Sequence, residues 1–349
     1  MGNIEYANHQ LVVSELENLM MALKAILALK DSGVVINGAI SYIVLLTLEG
    51  VRYTNKYGSE TIGYNFKGAL ESTRARLKPT NLTVNELIEK MRKLNEDSYG
   101  YFASLCSPTI RRLLPTLINN LGITFCDEMM IDNTFLDLMN NKKMIFYNSA
   151  ADSQRMIEKA YEVGKTLRLT IAENGGDFCK DPLQFDCKTS YEDYNVFCGK
   201  GPFGSSDRIE LKLILLNYLC AINYCERVFL RQKICDSLKY RLAYIVYNKT
   251  FVEIAKINTD LPEVFMGESS ALICKYGKLN RKEFRNCMFH YDMAQEIEQY
   301  DFDSEEMYLG AIKSKLAMNE AEFKLLLRNY FLDARRMLEH VCFSIAGDE

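Results

Sequence analysis

The sequence predicts an all-α protein made of two helical domains. Three observations carry that expectation. Apolar residues recur three and four positions apart through most of the 349 residues, capping signals punctuate them, and only 6 prolines interrupt them. Alternating runs of the strand type are few.

The first periodic stretch spans 10–30, with Leu11, Val12, Leu16, Leu19, Met20, Leu23, Ile26 and Leu27 on one face. The most apolar stretch, 34–48, is broken by Asn37 and is shorter than the ~20 residues a membrane span needs. It reads as a buried core helix, and no membrane partner is expected. Thr83-Val84-Asn85-Glu86 reads as a capping box, in which Thr83 accepts a free backbone N–H and Glu86 returns the bond. The helix it opens runs to about 105. Ser107-Pro108 starts another helix, with Pro where no hydrogen bond is lost. A further helix spans 149–173 and stops at Gly175-Gly176.

Residues 174–206 break the pattern with five glycines, two prolines and three cysteines. The division is therefore a helical domain at 1–180, a Gly/Cys-rich linker at 181–206 and a second helical domain at 207–349. A single core rarely organises so long a chain, since domains hold roughly 100–200 residues. In the second domain, helices are expected over 207–232, 237–257, 280–300 and 319–345, with Asn319 as the last cap and a minor helix in 304–318.

Composition narrows the function classes. Hydrophobic residues make up 48% and charged residues 25%, as in a folded globular chain. The net charge of −4 gives no bulk positive field, so nucleic-acid binding would need a local basic patch. The 11 cysteines have no regular spacing, and Cys220, Cys225 and Cys342 lie in apolar stretches. That suits buried reduced thiols rather than a disulfide framework. No basic segment followed by an apolar run opens the chain, so a cytoplasmic protein is expected.

Other patterns carry less. Gly199-Lys200-Gly201-Pro202-Phe203-Gly204 fits a dinucleotide-binding spacing, but Pro202 removes a donor and no βαβ unit surrounds it. Cys179, Cys187 and Cys198 lack the close pairs of a zinc knuckle, so no metal is expected. The acidic 301–306 run lacks the calcium-loop glycine and reads as a helix start. No cofactor is expected.

The three histidines can each be weighed. His9 lies in an N-terminal tail without an evident partner. Arg335 and His340 share a spacing of five, but His340 reads as an exposed neighbour of Arg336. Arg285 and His290 have the same spacing, about 140° apart on a helix. Here Asn286 follows the arginine, and Lys275, Lys278, Arg281 and Lys282 precede it as candidate RNA-binding cations. RNA cleavage needs such residue types. An imidazole can take the proton of a ribose 2′-hydroxyl, and a guanidinium can hold the charged phosphate.

Arg285-Asn286-Cys287-Met288-Phe289-His290 resembles the Arg-Asn-x-x-x-His motif of the HEPN superfamily, over roughly 207–346 by helix order. The resemblance implies a four-helix bundle in which His290 assists 2′-hydroxyl attack, Arg285 holds the scissile phosphate and Asn286 orients them. It implies a metal-independent endoribonuclease acting on an RNA substrate, as a homodimer, in defence, as a toxin or in abortive infection. Residues 1–180 would then receive an activating partner or ligand. The alternative is a non-catalytic helical module that binds protein or RNA.

Overall fold

The computed structural model describes residues 3–58, 61–63, 73–74, 76–104, 106–111, 119, 121–134, 150–181, 185–196, 202–203, 208–291 and 307–343. Among them are eleven α-helices and one small sheet. The helices are α1 (Asn3–Leu27), α2 (Ser32–Tyr57), α3 (Val84–Ser104), α4 (Pro108–Arg111), α5 (Ala150–Glu173), α6 (Ile209–Tyr224), α7 (Asp236–Asp260), α8 (Glu268–Tyr276), α9 (Lys282–Phe289), α10 (Met307–Leu316) and α11 (Glu320–Phe343).

Local signals explain several boundaries. The Thr83 N–H donates to Glu86 Oε2 at 2.7 Å, and the Glu86 N–H donates to Thr83 Oγ1 at 3.3 Å, so the capping box forms at the start of α3. α5 ends where Gly175 takes φ +72. The Gly176 N–H reaches back to the Ile171 carbonyl at 2.9 Å and that of Gly175 to the Ala172 carbonyl at 3.0 Å, a Schellman closure. Asn319 Oδ1 accepts from the Glu322 N–H at 2.9 Å and caps α11.

α2 runs longer than the 34–48 stretch expected of it. It is the one described helix long and apolar enough to cross a membrane, and 78% of its most apolar window is buried inside the protein. It packs on α1 and α5. α5 buries Met156, Ala160, Val163, Leu167 and Ile171, an i, i+3, i+4 stripe. Apolar side chains from Val12 to Cys342 belong to one buried cluster, with α1 touching both α7 and α10. His9 lies in α1, not in a loose tail, with its ring stacked on Tyr53 at 6.1 Å.

Helices α6 and α9 each differ from expectation at an end. α6 passes into a π turn over Cys225–Phe229. The helix expected over 280–300 ends at Phe289, because His290 is extended (φ −127, ψ 150). Residues 292–306 and 197–201 lie outside the described residues, and with them the acidic run, Cys198 and most of the glycine-rich hexapeptide.

A three-stranded antiparallel sheet departs from the all-α expectation. It comprises β1 (Leu121–Cys126), β2 (Met129–Asn133) and β3 (Thr189–Tyr194), in the order β2-β1-β3. Alternation does not reveal it, since β1 is buried on both faces and β3 is largely exposed. The β1–β2 turn uses Asp127 and Glu128, both at positive φ, a geometry that usually announces itself with Gly. Beside the sheet, Cys126 and Cys187 are joined as a disulfide, which corrects the reading of wholly reduced thiols. Cys220, Cys225 and Cys342 are free and buried, as expected.

Two buried polar groups hold the layers together. Arg241 of α7 and Glu15 of α1 are fully buried and ion-paired at 2.7 Å. The same guanidinium donates to the carbonyls of Cys287 at 2.7 Å and Met288 at 3.0 Å. Asp132 of β2 is buried, accepting from Asn37 of α2 at 2.7 Å and from the Asn133 N–H at 2.9 Å. Burial pushes its carboxyl up to about 7, although both hydrogen bonds pull it down.

Glu15→Gln is expected to lower the urea-unfolding free energy by about 3–5 kcal/mol, because it strands a buried cation. Arg241→Met should cost more, since it also strands the α9 carbonyls. Equal or negligible losses would show that the pair carries no structural load. For Asp132, a folded pKa above the unfolded one means that stability is lost as pH rises from about 4 to about 7. Asp132→Asn should flatten the urea midpoint between pH 5 and pH 8, whereas a wild-type-like slope would refute the assignment.

Candidate functional site

α9 places the candidate residues. It buries Phe284, Cys287, Met288 and Phe289 and leaves Arg285 and Asn286 half-buried. A helix ends with carbonyls that lack partners, and here the Arg241 guanidinium takes two of them. It also reaches the His290 carbonyl at 3.4 Å and lies over the Tyr291 ring at 5.0 Å. The His290 N–H still closes onto the Asn286 carbonyl at 3.1 Å. His290 is thus the first residue past the helix, and its ring is directed away from the helical course.

The ring meets two residues that sequence reasoning passed over. Nδ1 lies 3.2 Å from Glu49 Oε2 of α2 and 3.2 Å from Arg74 Nη2. Arg74 Nε donates to Glu49 Oε1 at 2.7 Å, and its Nη2 closes on the same oxygen. The Glu49 side chain is only 2% exposed, so its charge depends on these partners. Arg52, one turn along α2, adds a second guanidinium at 4.0 Å.

Nδ1 can do one of two things at this junction. It can donate to Glu49, or accept from Arg74. The first tautomer leaves Nε2 with a lone pair, as a general base requires, and a buried carboxylate is the usual device for fixing it.

Arg285 faces Lys78 and Tyr244 rather than sharing the Nδ1 junction. Burial lowers the Lys78 pKa, Arg74 and Arg285 lower it further, and Glu49 opposes them. Burial raises the Tyr244 phenol, with Arg285 opposing. Among the described residues, neither the Arg285 guanidinium nor the Lys78 ammonium makes a hydrogen bond or ion pair, although the Glu49 carboxylate acts on Lys78 from a distance. Two half-buried cations repel each other, Glu49 offsets this only in part, and a phosphate group would relieve it further. The Glu49 carboxylate is already shared among Arg74, His290 and Arg52.

The other sequence candidates separate. Lys275 pairs with Asp333 at 2.9 Å and Lys278 with Glu322 at 2.9 Å, both on α11, so those two charges are already neutralised. Arg281 and Lys282 are exposed at the start of α9. The second Arg–His spacing is divided between elements. Arg335 pairs with Glu226 of the π turn at 2.7 Å, and His340 meets Glu268 of α8 at 3.2 Å, not Arg336. Among the described residues no group of three metal-ligating side chains occurs, and Cys187 is committed to Cys126.

Two sequence features could have found the missed residues. Glu49 is the one acidic residue in the apolar 32–51 stretch, and Arg74, Arg76 and Lys78 alternate within five positions. Their meeting with His290, more than two hundred positions away, has no local mark.

Unpaired cations at a binding site should not contribute to stability. Lys78→Met is expected to leave the melting temperature unchanged or slightly higher, whereas Arg74→Met should lower it by at least ~1 kcal/mol equivalent, since it strands Glu49. A loss at Lys78 as large as that at Arg74 would mean that Lys78 is a structural cation. Comparison with known proteins finds no matching family model, no matching curated protein and no matching solved structure.

Proposed function

We propose that this chain is a metal-independent endoribonuclease of the HEPN type, with His290 as general base and Arg285 as phosphate holder. The observation that supports this reading best is the pairing of a His290–Glu49 contact with the unpaired cations Arg285 and Lys78. Base and charge clamp then come from neighbouring parts of one cluster.

In this mechanism Glu49 accepts a hydrogen bond from the Nδ1–H of His290 and so keeps Nε2 free as the base. Nε2 takes the proton of a 2′-hydroxyl, the 2′-oxygen attacks the adjacent phosphorus, and the bond to the 5′-oxygen breaks. The departing 5′-oxygen takes a proton from water and Nε2 releases its proton to solvent, leaving a 5′-hydroxyl and a 2′,3′-cyclic phosphate. Arg285 and Lys78 stabilise the extra negative charge on phosphorus in the transition state. Asn286 orients the pair. Lys275, Lys278, Arg281 and Lys282 contribute less than the sequence alone suggests, since two of them are already paired.

The wider reading follows from the resemblance. α6, α7, α9 and α11 supply the four bundle helices, two copies bring their motifs together, and residues 1–180 receive an activating signal in defence or growth arrest. Glu49 and Arg74 belong to that first half, so a ligand that moved α2 would act directly on His290.

Incubation of end-labelled total RNA with pure protein in EDTA tests the proposal. Wild type should cut, leaving cyclic phosphate ends. His290→Ala should slow cutting about 10²–10⁴-fold and Arg285→Ala about 10²–10³-fold. Undiminished cutting by a folded His290→Ala protein would exclude the mechanism. A wild type that binds RNA yet never cuts it would favour the non-catalytic module.

A further inference from the structure

α2 continues past the His290 junction. Glu49 meets the imidazole at 3.2 Å, and the helix runs on to Tyr57. Its character changes there. No residue from 32 to 51 is exposed, whereas Arg52, Asn55, Lys56 and Tyr57 all are. Glu49, Arg52 and Lys56 follow one another at spacings of three and four, as do Glu49, Tyr53 and Tyr57. They therefore line one face, which begins at the His290 junction.

Aromatic rings gather along that face. The Tyr53 and Tyr57 centroids are 4.9 Å apart, and His9 of α1 stacks on Tyr53 at 6.1 Å. Tyr53 is buried and anchors the row, while Tyr57 is 40% exposed. Lys56 Nζ lies over the Tyr57 ring, 4.7 Å from its centroid. Tyr6, one turn before His9 on α1, is exposed as well.

A lysine in the last turn of a helix is favoured by the helix dipole, so Lys56 alone indicates little. Arg52 stands a turn earlier, with its side chain 63% exposed and its guanidinium only 4.0 Å from Glu49. The exposed rings are tyrosines rather than aliphatic groups, and cations stand among them. That mixture suits a ligand with flat faces on a charged backbone, not a lipid tail or the apolar face of a partner helix. Glu49, the acid on this face, is buried and paired, so it presents little charge to such a ligand. From Glu49 to Tyr57 the helix axis advances about 12 Å. A stacked strand advances about 3.4 Å per nucleotide, so a strand with one 2′-hydroxyl at His290 reaches Tyr57 about three to four nucleotides away.

We propose that the last two turns of α2, through Arg52, Lys56 and Tyr57, bind the single-stranded RNA that flanks the scissile bond. The Tyr57 ring stacks on one base, and the two cations hold neighbouring phosphates. RNA as the ligand rests on the ribonuclease reading, but binding on this face does not require that His290 cut. Stacking on a ring is tolerant of base identity, so this face sets how long a strand is held rather than which sequence.

Fluorescence anisotropy of a short, unstructured 2′-O-methyl oligouridylate, which cannot be cut, measures the binding in the full chain. Wild type should bind it. Tyr57→Ala should weaken binding about 5–150-fold, Tyr57→Phe should retain it, and Lys56→Gln should reduce the slope of log K against log salt by about 0.7. Tyr161→Ala removes an equally exposed ring from α5 and should change nothing. No binding by wild type overturns the proposal and leaves the aromatic face to a protein partner. Wild-type affinity in a folded Tyr57→Ala protein, or an equal loss in Tyr161→Ala, also overturns it. Cleavage of natural RNA is scored separately. Tyr57-dependent binding without any cutting would sink the ribonuclease reading alone, and cutting with Tyr57-independent binding would sink this proposal alone.

Discussion

Arg241 is the constraint on which the arrangement rests. A buried guanidinium must have its charge matched and its donors used, and this one does both with partners far apart in sequence. Glu15 of α1 supplies the charge, and the end of α9 supplies carbonyls. The result is a fixed joint between the first helix and the point where His290 leaves its helix. Tyr291, under the same guanidinium, closes the joint from the other side. Without it, α9 would end with stranded carbonyls, and the imidazole would have no defined direction.

The second organising element is an imbalance of charge. Among the described residues several cations are matched: Lys275 with Asp333, Lys278 with Glu322, Arg335 with Glu226, Lys324 with Asp236. Around Arg74 and Lys78 that matching is incomplete. Glu49 serves Arg74, His290 and Arg52 on one face, while Lys78 and Arg285 are left facing each other.

Much of the helical framework was legible because its causes are local. The Thr83–Glu86 box, the Gly175 stop and the Asn319 cap each act within a few residues, and the i, i+3, i+4 stripe of α5 reports its buried face directly. The sheet was not legible, because β1 is buried on both faces, β3 is exposed, and the turn between β1 and β2 carries Asp-Glu at positive φ. His290 was legible as a residue but not as a geometry: its spacing from Arg285 suggested a shared helix, whereas the helix stops one residue before it.

Sequence alone determined where several helices begin, which faces they bury, and that an arginine, an asparagine and a histidine lie within six positions of one another. Those follow from hydrogen bonds and periodicity within a turn or two. Only the tertiary structure decided which charges meet. It brought Glu49 and Arg74 to His290, set Lys78 against Arg285, and spent Lys275 and Lys278 on α11. Electrostatic partners are chosen by distance and desolvation after the core has packed, and neither quantity is written in the order of residues along the chain.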